Sequence, residues 1–231
     1  MTTPDIPLRL IVAITGASGS IYGVRLLEML QGTGIETHLI MSRWGARTLV
    51  HETSYTPEQV TALASVVHPL TDQGATISSG SFVTMGMVIA PCSVRTLAAI
   101  AHGLGDNLIH RAADVAIKER KTLILVPRET PFSAVHLENM LKLARLGVVI
   151  LPPNPGFYHG VSEVSELVDF IVAFYQLFQI ISMDPVVGST VHGAEFVEGE
   201  RHKIFTETNL TENYRPRRCQ LYRCHNQNHK R

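Results

Sequence analysis

Residues 10–20 read Leu-Ile-Val-Ala-Ile-Thr-Gly-Ala-Ser-Gly-Ser, and the fold turns on this stretch. An unbroken aliphatic and β-branched run over 10–14 is the pattern of a strand buried on both faces. Small residues at 15–20 then make a tight turn. Ile21, Val24, Leu26, Leu27 and Leu30 follow at helical spacing. Strand, small-residue turn and helix in that order open a β–α–β unit.

The alternation continues along the chain. Further strands are expected at 36–41, 86–90, 122–126 and 148–151, the last three ended by Pro91, Pro127 and Pro152. Helices are expected at 43–51, from Pro57 through Val67, at about 93–102, 107–121 and 134–146, and from near Glu163. Residues 71–81, rich in Thr, Ser and Gly, read as a loop. Short apolar strands alternating with helices predict an α/β fold, a parallel sheet with helices on both faces. Such a sheet binds ligands beyond the C-terminal ends of its strands. The segments in those places are residues 16–20, Ser42, Pro91-Cys92-Ser93, Pro127-Arg128-Glu129 and residues 155–159.

Of the 231 residues, 45% are apolar and 17% charged, which supplies a large core and excludes disordered, collagen-like and disulfide-scaffold classes. Net charge is zero, so neither a nucleic-acid partner nor a membrane surface is expected. The zero hides an asymmetry. Residues 1–198 carry 12 basic and 17 acidic side chains, whereas 199–231 carry 8 and 3. Cys92 stands alone ahead of Cys219 and Cys224, which is no disulfide framework and suits a reducing compartment. No signal-peptide pattern opens the chain. Residues 168–183 are apolar but interrupted by Asp169, Gln176, Gln179 and Ser182, too short and too polar for a membrane span. They are expected to pack in a subunit interface instead. A cytoplasmic protein follows, with a mitochondrial location open for a eukaryotic homologue. Residues 1–183 are read as one domain and 184–231 as a divergent basic tail, ordered or not.

Backbone N–H groups at a helix start, approached closely past small residues, form a phosphate site. The turn at 15–20 is such a place, although its spacing is neither GxGxxG nor a P-loop. A dinucleotide site also wants an acid after the second strand, where Ser42 and Arg43 stand. A mononucleotide therefore fits better than NAD. Ser93-Val94-Arg95-Thr96 repeats the pattern after the third strand, where Ser93 and Thr96 could bond a ligand or cap the helix. Cys92 reads as a buried thiol without a role. Arg128 offers a bidentate fork for phosphate, and Glu129 a carboxylate for proton transfer, unless the two form a surface ion pair. Arg111 and Lys118, seven apart, share one helix face. Cys219, Cys224, His225 and His229 are too weak a pattern to assign a metal, and the other nine histidines are scattered.

Several blocks resemble the flavin prenyltransferases, the UbiX-like and phenylacrylic-acid-decarboxylase-associated flavoproteins. They include TGASGSIYGVRLL, ISSGSF, GMVIAPCSVRTLAAIA, RAADVAIKER, LVPRETPFS, HLENMLKLARLG and PPNPGFYH, in order between about residues 8 and 173. The resemblance implies a flavodoxin-like Rossmann fold assembled as a dodecamer, with no metal. It implies transfer of the dimethylallyl group of dimethylallyl phosphate to N5 and C6 of reduced FMN. The prenylated FMN so made would serve a UbiD-type decarboxylase. Carried over by position, the FMN contacts would be Gly16, Ala17, Ser18, Ser42, Ser93, Val94, Arg95, Thr96 and Arg128. Prenyl phosphate would meet Lys118, Arg128, Glu129 and Tyr158, with Ser79 and Gly80 nearby. Glu52, Glu129 and Lys118 would be the catalytic set, Glu52 as an acid/base or orienting carboxylate beside the flavin.

One departure stands out. After residues 169–173 the family usually places Arg or Lys as a prenyl-phosphate ligand, and here the residue is Phe174. That motivates an alternative, an FMN-binding but catalytically weak carrier or assembly partner of an aromatic acid decarboxylase. A cysteine-type flavoprotein decarboxylase on the same fold is a third reading, but its active-site His block and Asn-containing motif are not found.

Overall fold

The computed structural model describes residues 8–157, 160 and 162–181, with side chains described as far as residue 173. The boundary expected at 183 and the basic tail lie outside the described residues. Six strands form one sheet: β1 (Arg9–Ile14), β2 (Glu36–Met41), β3 (Val66–His68), β4 (Gly86–Cys92), β5 (Thr122–Pro127) and β6 (Val149–Ile150). The order is β3-β2-β1-β4-β5-β6, with every pairing parallel. Without the edge strand β3 this is the flavodoxin order, and the chain reverses direction across the sheet between β1 and β4.

Seven helices cover the sheet: α1 (Ser20–Leu30), α2 (Arg43–Glu52), α3 (Pro57–Thr61), α4 (Val94–Ala101), α5 (Leu108–Lys118), α6 (Ala134–Arg145) and α7 (Val164–Ile181). The period-two alternation of strands divides the core. Leu10, Val12 and Ile14 pack with Val24 and Leu27 of α1, Leu49 of α2 and Ile171 of α7. Ile11 and Ala13 pack on the other face with Leu97 of α4, Leu108 and Ala112 of α5 and Leu143 of α6. Both faces of β1 and β4 are thus covered, which is why these strands carry continuous apolar runs.

Three expectations change. The helix expected from Pro57 through Val67 ends at Thr61, and Val66–His68 is a sixth, edge strand. Thr56 and Gln59 cap that short helix reciprocally, a strong start without a long apolar face behind it. Second, β4 does not end before Pro91 but runs to Cys92, past an irregularity between Ile89 and Cys92. Third, the part of the 168–183 stretch whose side chains are described buries Val168, Ile171 and Val172 on the chain's own sheet, so the interface expectation bears on the rest of the stretch, whose side chains lie outside the described residues. Arg25 of α1 ties Asp169 of α7 through Nε at 2.5 Å and Nη2 at 3.1 Å.

Side chains secure β3 to its neighbour. His38, 3% exposed, has Nε2 2.7 Å from Glu36 Oε1 and Nδ1 2.9 Å from Nε2 of His68. Glu36 also accepts from Arg9 Nε at 3.1 Å. Burial, and then His38, pushes His68 below the ordinary histidine value against the opposing pull of Asp72. The bond from His38, and after it that from Arg9, holds Glu36 below the usual carboxylate range against partial burial. In both cases the unfolded chain binds the proton more readily, so stability rises with pH and is lost as pH drops. The loss begins as pH drops through about 6.5 for the histidine, and through about 4.3 for the carboxylate. The melting temperature is therefore expected to fall between pH 7 and pH 5. His68→Gln should flatten that slope, leaving the part owed to His110, which burial shifts the same way. Scanning calorimetry across the range checks it.

Candidate functional site at the C-terminal rim of the sheet

The β1 and β4 ends meet at the point where the sheet's winding reverses. Gly16 follows β1, and a Cβ there would overlap the Cβ of Trp44 at the start of α2. Gly19 is the N-cap of α1 at φ 98°, a left-handed conformation that glycine adopts without steric cost. Ser42 N–H donates to Ile14 O at 2.9 Å, and its hydroxyl caps α2 by accepting from Gly45 N at 2.9 Å. Ser93 caps α4, its Oγ accepting from Thr96 N at 3.2 Å and donating to Thr96 Oγ1 at 3.0 Å. Of the two roles open to Ser93, the cap is therefore realised.

Glu52 reaches back from the end of α2 to the start of α1. Its Oε2 accepts from Gly19 N at 2.8 Å and Ser20 N at 3.3 Å. The anion seat of α1 is thus taken by the protein's own carboxylate, complementing the positive end of that helix. Anion-binding capacity on this rim falls to α4, whose first-turn N–H groups at Val94 and Arg95 have no acceptor within the helix. It falls also to the guanidinium groups of Arg95 and Arg128, both exposed and without ion pairs among the described residues. Arg128 and Glu129 follow β5 and line an open concavity of about 180 Å³ with Thr130, Phe132, Pro153 and Asn154. Glu129 Oε1 accepts from Thr130 N at 3.0 Å, so the ion pair with Arg128 does not form. Beside this rim Cys92 is fully buried, and burial pushes its thiol far up, which makes it a poor nucleophile.

Two observations fit this rim to a flavin mononucleotide. Its small residues 16–19 remain partly exposed, although the space beside Gly16 itself is filled by Trp44. Ser20 Oγ is a buried side-chain oxygen without a hydrogen-bond partner, at the first residue of α1. Among the described residues no group of three or more His, Cys, Asp and Glu could hold a metal ion, and no helix is long and apolar enough to cross a membrane.

The remaining site residues lie elsewhere. Lys118 ends α5 and bonds Glu119 Oε1 at 2.5 Å, while Lys121 Nζ donates to Phe82 O at 2.7 Å. A Cβ at Gly80 would overlap the Glu119 carboxylate. Ser79, Gly80 and Lys118 therefore cluster at the N-terminal ends of β4 and β5. They are separated from Arg128 and Glu129 by the length of a strand, about 20 Å. A single chain does not bring the two sets together. Tyr158 and the side chain of Phe174 lie outside the described residues. Thr15, between the two turns at the reversal point, is a rim residue that sequence reasoning passed over. Its position in the TGASG block marks it, but only the fold reveals its partners.

The parallel sheet, its reversal point and the small-residue turns there define a doubly wound α/β protein of the nucleotide-binding kind. A family model described as Flavoprotein matches residues 2–176. A probable UbiX-like flavin prenyltransferase from Streptomyces sp. (strain D7) is 56% identical over 167 residues, 72% of this chain and 84% of that protein. A crystal structure of AnUbiX (PadA1) in complex with FMN and dimethylallyl pyrophosphate superposes with TM-score 0.74 at 43% identity, covering 83% of this chain and all of that one. A dodecameric FMN-dependent UbiX-like decarboxylase from Escherichia coli O157:H7 gives 0.73 at 47%, covering 77% and 96%. The chain belongs to the Flavoprotein family and, within it, to the UbiX-like flavin prenyltransferases.

Proposed function

We propose that this protein joins the dimethylallyl group of dimethylallyl phosphate to N5 and C6 of reduced FMN, and that a UbiD-type decarboxylase takes the product. The observation that carries the reading is the rim at the β1/β4 reversal, where the turns after β1 and β4 lie side by side at the C-terminal ends of the strands, in a chain of this family. Gly16, Ala17, Ser18, Ser42, Ser93, Val94, Arg95, Thr96 and Arg128 hold FMN. Reduced FMN supplies the nucleophilic ring atoms. Arg128 and Lys118 neutralise the phosphate released from the allylic carbon, with Tyr158 as a further donor. Glu129 orients that phosphate or accepts a proton. Glu52 acts beside the flavin by fixing the start of α1.

Because Ser79, Gly80 and Lys118 sit on the opposite rim, they join Arg128 and Glu129 only if supplied by another protomer. Assembly is thus part of the proposal, as a homo-oligomer working in the cytoplasm. Leu137 and Leu141, one turn apart on α6 and 53% and 51% exposed, support it, since such paired apolar exposure marks contact surfaces.

The test is anaerobic incubation of the protein with reduced FMN and either dimethylallyl phosphate or the pyrophosphate, followed by mass analysis of the flavin. A flavin heavier by one five-carbon unit is expected with the monophosphate, and unmodified flavin in both arms would overturn the reading. Phe174 sets the expected affinity. A missing charged hydrogen bond to phosphate is worth about 1.5–3 kcal/mol. Phe174→Arg should therefore lower the apparent KM for dimethylallyl phosphate by about 10- to 150-fold and leave FMN binding unchanged. Steady-state kinetics on the two proteins decide it.

A further inference from the structure

We propose that Thr15 is the positioning residue that holds the two flavin-binding turns in register; the proposal rests on the reading of this rim as the FMN site. Thr15 is 2% exposed. Its hydroxyl donates to Pro91 O at 2.8 Å and accepts from Ser93 N at 2.8 Å. Its own N–H donates to Pro91 O at 3.2 Å. Both roles of one buried hydroxyl are spent on the segment that leads into α4.

The surrounding ladder gives this side chain its importance. Paired register between β1 and β4 ends at Ala13 with Ile89, and β4 is irregular between Ile89 and Cys92. Past that point a single backbone bond, Thr15 N–H to Pro91 O at 3.2 Å, joins the end of β1 to the end of β4. Thr15 makes the bridge there, one residue before Gly16 and directly onto Ser93, the cap of α4. The N–H groups of Val94 and Arg95 are then aimed by the placement of Ser93, and the small-residue turn by the placement of Thr15. A ligand that spans both turns needs them fixed relative to one another, since small misplacements of binding groups cost large factors.

Thr15→Val preserves shape and deletes both hydroxyl bonds; Thr15→Ser keeps the hydroxyl; Thr15→Ala removes it with no possible overpacking. FMN affinity is measured by fluorescence quenching, and amide hydrogen exchange at Ser93 is followed in FMN-free protein. Thr15→Val and Thr15→Ala are expected to raise the Kd for FMN about 10- to 100-fold and to speed exchange at Ser93. Thr15→Ser is expected to restore affinity to within a few-fold. Wild-type affinity in the Val and Ala variants, or a Ser variant as impaired as they are, would overturn the proposal. If the wild-type protein itself took up no FMN, the reading of the rim would fail, while exchange at Ser93 would still decide whether Thr15 holds the two segments together. Should the Val variant not fold, the Ala and Ser pair gives the same decision.

Discussion

Glu129→Gln is expected to retain FMN and to lose prenyl transfer by about 10²- to 10⁴-fold, the usual worth of a positioned acid or base. The geometry supports a loss of chemistry rather than of fold. Glu129 lies just past the end of β5, half-buried, and its Oε1 is used only by the neighbouring Thr130 N–H at 3.0 Å. Gln preserves that acceptor and the side-chain volume, so the turn should survive. What disappears is the negative charge and the capacity to take up a proton. Retained flavin absorbance with no mass gain on the flavin is the expected pair of readings. An unchanged turnover number would reduce Glu129 to a structural residue.

Ser18→Asp is expected to expel FMN, raising its Kd by a factor of about 10² or more, since like charges brought together in a binding site cost several kcal/mol. Ser18 precedes the Gly19 cap of α1, where the Glu52 carboxylate already occupies the Gly19 and Ser20 amides. A second carboxylate one residue away would confront any phosphate on this rim with two negative charges. The new charge could not be relieved by the Gly19 and Ser20 amides of α1, which Glu52 already occupies. Purified variant without flavin, folded and melting near the FMN-free wild-type protein, is the expected outcome. Wild-type flavin content would place the phosphate away from this turn.

Much of the architecture was legible along the chain because it is written in local pattern. Residues 10–14 and 122–126 are aliphatic and β-branched throughout, and a strand covered on both faces permits little else. The small-residue turns are legible for the same reason, as is the cap Ser93, which accepts from an N–H three residues on. β3 was not legible. Three residues at a sheet edge carry too little periodicity, and their strand state comes from pairing with His38–Ile40 and from the His38–His68 bond across 30 residues.

The sequence by itself determined the strands other than β3, which turns are built of small residues, and, through its blocks of resemblance, the family and its flavin. Those properties depend on side-chain size, branching and order, which are local. Tertiary structure alone decided what each polar group does. It assigned Glu52 to the start of α1, gave the Thr15 hydroxyl to Pro91 and Ser93, and made Gly23 necessary where a Cβ would overlap Ala90 O. It also set Lys118 and Arg128 at opposite ends of the sheet, because α5 runs antiparallel to the strand that follows it. A hydrogen bond between residues 78 apart, such as Ser93 to Thr15, leaves no trace in spacing or composition, because the chain's path, and nothing local to either residue, brings its two ends together.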